Sequence, residues 1–368
     1  MKILYVTTVA ITMNFFTNFI NELVKSGNAV DIACNCDDYE LNTVYKELDC
    51  KIHNIPFSRS PLNMGNIKAY KMLKHIVNEG GYDIVHCHTP IAAAATRLAC
   101  RKARKNGTKV FYTAHGFHFY KGAPLKNKIL FYPVEKLCAK YTDTLITINR
   151  EDYELAQRKF SAKKVTYVAG VGINTAKFRE TVVSKVEKLN EIGVLADAKI
   201  LLSVGELNAN KNHSAIIKAI SKMNDSNIHY LIAGQGPLME SLMEVAKQSG
   251  VGDRVHLLGK RTDVAELYKC ADVYIHPSFR EGLPVAVMEA MSSGLPCIVS
   301  NIRGSRDLIV DGKGGIVVLE NTPEKYTEAI KNMFSVEVCE YSSFNKEKAK
   351  EYDTEIINAK MRELYSIK

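Results

Sequence analysis

Along the first half of the chain, short apolar runs alternate with longer stretches whose apolar positions recur every three or four residues. The runs 3–6, 29–33, 52–55, 84–86, 110–113, 145–148 and 165–168 are rich in β-branched residues, which predicts strands. Between them the helical period appears over 15–25, 66–78, 92–105 and 125–140. A second alternating series begins at 200–204 and continues through 230–233, 255–258, 273–275 and 297–299. Alternation of this kind predicts parallel sheets covered by helices on both faces, with ligands gathered at the carboxyl ends of the strands. The glycine-containing joint Ala169 to Gly172 separates the two series. The expected organisation is a first domain over 1–170, a second over 171–351 and a closing helical segment over 352–368.

One stretch, His276 to Pro296, concentrates the candidate chemistry. A buried strand ends at Ile275, and Pro277 stops it. Pro284 suits a first helical position, where its missing N–H is no loss. Apolar Val285, Met288 and Met291 then occur at helical spacing, and Gly294 with Pro296 ends the helix. Ser278 to Leu283 is therefore a loop between a strand end and a helix start, which is a natural seat for phosphate. Gly282 lets backbone approach a ligand closely. Glu281 and Glu289 flank the helix start, about 10 Å apart along the chain, near the span from a hexose across a diphosphate to a ribose. Carboxylates accept hydrogen bonds from hydroxyl groups, so one acid can hold the sugar and the other the ribose.

The pattern Glu281-Gly-Leu-Pro-Val-Ala-Val-Met-Glu289-Ala-Met-Ser-Ser-Gly-Leu-Pro resembles the signature of family-4 retaining glycosyltransferases. The resemblance implies a GT-B fold: two Rossmann-like parallel-sheet domains facing across a cleft, with a C-terminal helix returning to the first. It extends to Gly205 and Lys211 after the 200–204 strand, to the Gly172-Ile-Asn174 joint and to the segment around His115. The stretch through Lys121-Gly-Ala-Pro resembles the branch that builds bacterial exopolysaccharide or capsule. That likeness implies transfer of a hexose, an N-acetylhexosamine among the candidates, from a UDP-linked donor to a lipid-diphosphate-linked saccharide, with retention at the anomeric carbon.

By the same resemblance, Glu281 orients the hexose, Glu289 the ribose and Lys211 the diphosphate, while His115 contacts the reacting sugar. His115 and Glu281 are thus the catalytic candidates. Gly205, Lys211, Gly234, Gly236, Arg280, Gly282, Leu283, Pro284 and Glu289 are the donor-binding candidates. Glu206 belongs with them as a departure, because relatives usually place an Arg directly after this glycine. A carboxylate there repels phosphate unless turned away, and Arg280 is placed to compensate. Asp307, in Arg303-Gly-Ser-Arg-Asp307, is a weaker candidate. Acceptor-side candidates are Thr8 and Asn14 after the first strand, with Phe117, His118 and Tyr120 beside His115. His86 and His88 lack further ligands at metal spacing. No Asp-x-Asp occurs, so neither a metal nor any other cofactor is expected, and the leaving charge falls to Lys211, helix N-termini and Arg280.

Composition narrows the setting. Hydrophobic content of 46% and charged content of 24% are those of a globular protein. Nine scattered cysteines with no C-x-x-C argue for reduced thiols, hence a cytoplasmic protein, and against a zinc site. The uncharged stretch 3–21 is interrupted by Thr7, Thr8, Thr12, Asn14, Thr17 and Asn18, and reads as strand and loop rather than a membrane span. The formal net charge of +9 resides in one segment. From Arg101 to Lys140 there are ten Lys or Arg residues against Glu135 alone, with aromatics interleaved. A lipid-linked acceptor makes this segment a dock for an anionic membrane surface at the inner face of the cell membrane. Nucleic-acid binding is the rival for the basic segment, but it leaves Glu281 and Glu289 without a role. A nucleotide-sugar epimerase or a phosphorylase is the rival within the same architecture.

Overall fold

Two parallel sheets carry the chain. The first contains β1 (Lys2–Val9), β2 (Ala29–Asn35), β3 (Ile52–Asn54), β4 (Ile84–His88), β5 (Lys109–Ala114), β6 (Thr144–Thr147) and β7 (Lys164–Tyr167), in the order β3-β2-β1-β4-β5-β6-β7. The second contains β8 (Lys199–Val204), β9 (Ile228–Ala233), β10 (Val255–Gly259), β11 (Val273–His276), β12 (Cys297–Ser300) and β13 (Gly315–Val318), in the order β10-β9-β8-β11-β12-β13. This computed structural model describes residues 1–337 and 339–367. The chain divides into one unit of Met1–Val171 together with the residues from Asn358 onward, and another of Gly172–Ile357.

Helices cover both faces of each sheet, so the central strands are buried on both sides. The five residues of β4 and the four of β11 are buried throughout. In the first unit the core runs from Leu4, Val6 and Val85 through Val110 and Leu145 to Phe117 and Phe160. In the second it runs from Leu201, Ile216 and Tyr230 through Ile275 and Ile298 to Tyr326. The last helix, Thr354–Tyr365, ends in the first unit. There Asn358 donates to Glu22 at 2.8 Å, Arg362 pairs with the same carboxylate, and buried Tyr365 bonds Tyr5 at 2.8 Å and His86.

Several local expectations shift. Residues Ala10–Phe16 form a 3-10 helix before the α-helix Thr17–Lys25 begins. The stretch expected as one helix over 92–105 is two, Pro90–Ala99 and Arg101–Lys105, joined at Cys100. Pro284 is the N-cap of helix Val285–Ser293, with ψ at 113°, rather than its first residue. Strand β13 was not expected. It opens on Gly315, directly after Gly312 and Gly314, so its start reads as part of a glycine turn.

Candidate functional site

In a doubly wound sheet the strand order reverses once, and the loops leaving the two strands there diverge around a crevice. In the second sheet that point lies between β8 and β11, paired at Leu201–Val273 and Leu202–Tyr274. The loop after β8 carries Gly205 to Asn212, and the loop after β11 carries Pro277 to Pro284. Two hydrogen bonds tie them together: Phe279 N–H donates to the Asn210 carbonyl at 2.8 Å, and Asn210 Nδ2 donates to the Arg280 carbonyl at 2.9 Å.

The side chains meet at Glu281. Its Oε1 receives Lys211 Nζ at 2.7 Å and lies 3.1 Å from His276 Nε2. His276 Nδ1 lies 3.2 Å from Tyr274 OH, and Ser278 Oγ lies 3.1 Å from Nε2. Burial pushes the His276 imidazole below its ordinary value, so the ring is neutral at pH 7. The ionised Glu281 can only accept, so the single ring proton belongs on Nε2, which leaves Nδ1 to accept from Tyr274. Burial would raise the Glu281 carboxyl, but the His276 bond and the Lys211 ammonium outweigh it and hold it well below the carboxylate range. The backbone is held as well: Arg303 Nε donates to the Glu281 carbonyl at 3.2 Å. Gly304, at φ +77°, packs so close to the Gly282 carbonyl that a Cβ would lie 2.3 Å from it.

Glu289 lies along the Val285–Ser293 helix and is half-buried. Its Oε2 receives the Tyr268 hydroxyl at 3.1 Å. Burial raises its carboxyl to about 7, against the opposing pull of Tyr268 and Lys177. Such a carboxyl is poised to gain hydrogen bonds from a ligand's hydroxyl groups, which would favour its charged form.

The remaining donor candidates fall into three groups. Leu283 and Pro284 are buried and set the entry to the helix; Gly282 is half-buried beside Gly304. Gly234 and Gly236 are demanded by backbone packing, since a Cβ would lie 1.8 Å from the Gly205 carbonyl oxygen and 2.5 Å from that of Leu207. Gly205 itself faces Lys211, whose Cε would lie 3.2 Å from a Cβ there. Arg280 is exposed next to Glu281. Glu206 is exposed too, with its carboxylate turned onto Asn208 Nδ2 at 2.9 Å.

In the first sheet the order reverses between β1 and β4. The polar ends of β1, β4 and β5 gather there. Thr8 Oγ1 lies 2.7 Å from Thr89 Oγ1, and Thr89 takes the sparsely populated φ of +63° at the start of helix Pro90–Ala99. His115 Nε2 lies 3.1 Å from His88 Nδ1. Burial lowers His115 to about 4 and His88 well below its ordinary value, so both rings are neutral at pH 7. Asn14 is exposed on the Ala10–Phe16 turn, and Tyr120 is half-buried. Phe117 is not an acceptor-lining residue. It is 2% exposed in the core, stacked 4.9 Å from Phe119, and its N–H bonds Asp152 at 2.9 Å. His118 packs against Phe131, ring centres 4.6 Å apart.

The sequence reading gave no role to His276, Tyr268, Arg303 or His88. For His276 the signal was present in a His-Pro pair at a strand end, five residues before Glu281. Tyr268 and Arg303 reach the site only through tertiary packing. Among the described residues no group of three or more His, Cys, Asp or Glu is placed to hold a metal.

Residues 185–352 match the family described as "Glycosyl transferases group 1", and residues 2–149 match "Glycosyl transferase 4-like". The chain is 39% identical over 291 residues to "Putative glycosyltransferase EpsD" of Bacillus subtilis, covering 78% of this chain and 76% of that protein. It is 30% identical over 286 residues to an Escherichia coli "UDP-Gal:alpha-D-GlcNAc-diphosphoundecaprenol alpha-1,3-galactosyltransferase", covering 76% and 72%. The solved structure of Anabaena HepE in complex with UDP superposes over all of both chains with a TM-score of 0.83 at 17% identity, which shows a shared GT-B fold. The chain belongs to the group 1 glycosyltransferases.

Proposed function

We propose that this glycosyltransferase moves a hexose from a UDP-sugar to a saccharide carried on a lipid diphosphate, with retention and without a metal. The observation that carries the reading is the Lys211–Glu281 contact of 2.7 Å at the switch point of the second sheet, beside the start of the Val285–Ser293 helix. An ammonium has three N–H donors, so Lys211 can keep Glu281 and still meet a diphosphate. The helix start adds partial positive charge where the leaving group's negative charge builds up. Glu281 and Glu289 then accept from the hexose and the ribose. The bond from the anomeric carbon to the diphosphate oxygen breaks, and the acceptor hydroxyl oxygen bonds that carbon on the same face. Its proton passes to the departing diphosphate. A neutral His115 suits this course, because it offers a hydrogen bond to the sugar without adding charge.

Two features support the choice of substrates. The Escherichia coli relative is named for a UDP-galactose donor and a diphosphoundecaprenol-linked acceptor, and the Anabaena structure holds UDP. An acceptor on a lipid diphosphate also gives the segment 101–140 a purpose at the inner face of the membrane. No helix among the described residues is long and apolar enough to cross a bilayer, so contact would be peripheral. Thermal-shift screening of UDP, GDP and ADP sugars tests the donor, since a ligand selective for the native state raises apparent stability. A UDP-sugar should raise Tm most, and UDP release should require the acceptor. A larger shift with GDP or ADP sugars would reject the UDP assignment; epimerised sugar without acceptor would reject transfer. EDTA should leave the rate unchanged.

A further inference from the structure

The helix Leu125–Ala139 is inside out. Its only acid, Glu135, is 5% exposed, whereas Leu125 is 70%, Ile129 67% and Leu137 49% exposed. Leu130 and Val134 are exposed on the same outer arc, which also carries Lys126, Lys136 and Lys140. A soluble helix places its apolar stripe inward, and a helix that turns five large apolar side chains outward on one arc marks an interaction surface.

The orientation is fixed from within. Glu135 Oε2 takes Arg97 Nη1 at 2.8 Å, and Glu135 Oε1 takes the Tyr112 hydroxyl at 3.0 Å. The Arg97 guanidinium lies over the Tyr112 ring at 4.1 Å. Turning the helix to hide its leucines would strand a buried charge, which is strongly unfavourable. The aromatics expected to stud a docking face are instead drawn inward: Phe117 and Phe119 are core, and Tyr132 packs edge-on to Phe119 at 5.3 Å.

The far end of the helix opens onto a hollow of about 700 Å³ lined by Arg101, Lys102, Arg104, Lys105, Lys140 and Lys163, with Tyr141. Arg104 joins the two features, donating to the Lys140 carbonyl at 3.3 Å and to Asp143 at 2.8 Å. Asp143 also takes Lys163 Nζ at 2.8 Å, so its one carboxylate answers two of the hollow's six cations and leaves the lining strongly basic.

We propose that this helix is an interfacial anchor: its Leu125, Ile129, Leu130, Val134 and Leu137 side chains enter the outer hydrocarbon of an anionic bilayer while the hollow seats lipid phosphates. Charge complementarity selects this occupant. A second copy would bring a like-charged face against the first, whereas anionic lipid satisfies both the apolar stripe and its lysines. The lysine stems flank the leucines and can reach up to headgroups as the helix sinks. The purpose of the anchor rests on the lipid-borne acceptor proposed above, but binding does not.

The chain has no tryptophan, so Ile129→Trp gives a single reporter, with exposed Val182→Trp in the second unit as its control. With vesicles of phosphatidylcholine and phosphatidylglycerol, the Ile129→Trp emission should shift to the blue and be quenched by brominated acyl chains. The control should not respond. Ile129→Gln with Leu130→Gln should weaken flotation with these vesicles at least tenfold, and so should Lys102→Glu with Lys105→Glu. Pure phosphatidylcholine should bind little, and 10 mM inorganic phosphate (chosen to mimic a free anion) should compete weakly. An unshifted Ile129→Trp, or an Ile129/Leu130 variant that floats like the parent, overturns insertion. Full competition by inorganic phosphate overturns the lipid assignment in favour of a free-anion site. UDP-sugar turnover on a water-soluble acceptor, measured on the same variants, should be unchanged. Its absence from the parent protein would count against the proposed reaction and leave the anchor standing.

Discussion

The two sheets put different chemistry at the same topological place. At the second sheet's switch point stand charges: Lys211 against Glu281, with Glu289 further along the helix. At the first sheet's stand neutral hydrogen-bonding groups: Thr8 on Thr89, and His115 on a neutral His88. The same doubly wound scaffold thus gathers a cation–carboxylate pair in one unit and neutral hydrogen-bonding groups in the other. The threonine hydroxyls carry no charge, and burial, joined at His88 by the neighbouring imidazoles, keeps both rings neutral. In the second unit, a cation and a neutral imidazole donor overcome burial at Glu281, while at Glu289 burial outweighs Tyr268 and Lys177 and raises the carboxyl to about 7.

The most severe way to break this contrast is Lys211→Ala. It should lower kcat by about 100-fold or more, as loss of a donor to developing charge does, and it should weaken UDP binding in calorimetry. Next is Glu289→Gln. In the parent, the folded state holds this proton up to about pH 7 while the unfolded chain loses it near 4.5. Stability therefore falls as pH rises across that window, by at most about 3 kcal/mol. The variant should melt higher at pH 8 and equally at pH 4.5, while losing affinity for UDP. Equal melting curves at both pH values would show that the carboxyl is not raised.

Smaller effects sharpen the first unit's side. His115→Ala should cost about tenfold in turnover, the scale of one hydrogen bond, with UDP affinity untouched. A parallel loss of UDP affinity would erase the distinction between the two sites. The smallest change is Glu206→Arg. The Glu206 carboxylate is exposed and turned onto Asn208, so replacing it should tighten UDP only about threefold, as a solvent-screened charge allows.

Much of this was legible in the sequence, for physical reasons. Central strands buried on both faces write themselves as unbroken apolar runs, and the half-exposed edges β3 and β7 still showed as short β-branched stretches between turns. β13 was not legible, because it opens on Gly315 directly after Gly312 and Gly314, and clustered glycines read as loop. The Glu281 loop was legible because a strand end, a glycine, a proline and a helix occur in one continuous stretch. Partners brought from far along the chain were not: Tyr268 to Glu289, Arg303 to the Glu281 backbone, and Thr89 to Thr8 exist only after folding. Glycines carry a packing role that spacing does not show. Gly234 and Gly236 read as ligand-approach residues, and folding shows that the chain's own backbone at Gly205 and Leu207 also needs them. Likewise the basic segment's aromatics suggested a docking face, whereas folding buries Phe117 and Phe119, half-buries Tyr120, Phe131 and Tyr132, and leaves the leucines outside.

A crystal structure with UDP bound tests the central claim most directly. The diphosphate should lie at Lys211 Nζ and the start of the Val285–Ser293 helix, with the ribose hydroxyls on the Glu289 carboxylate. UDP bound elsewhere, with neither Lys211 nor Glu289 within hydrogen-bonding reach, would contradict the account.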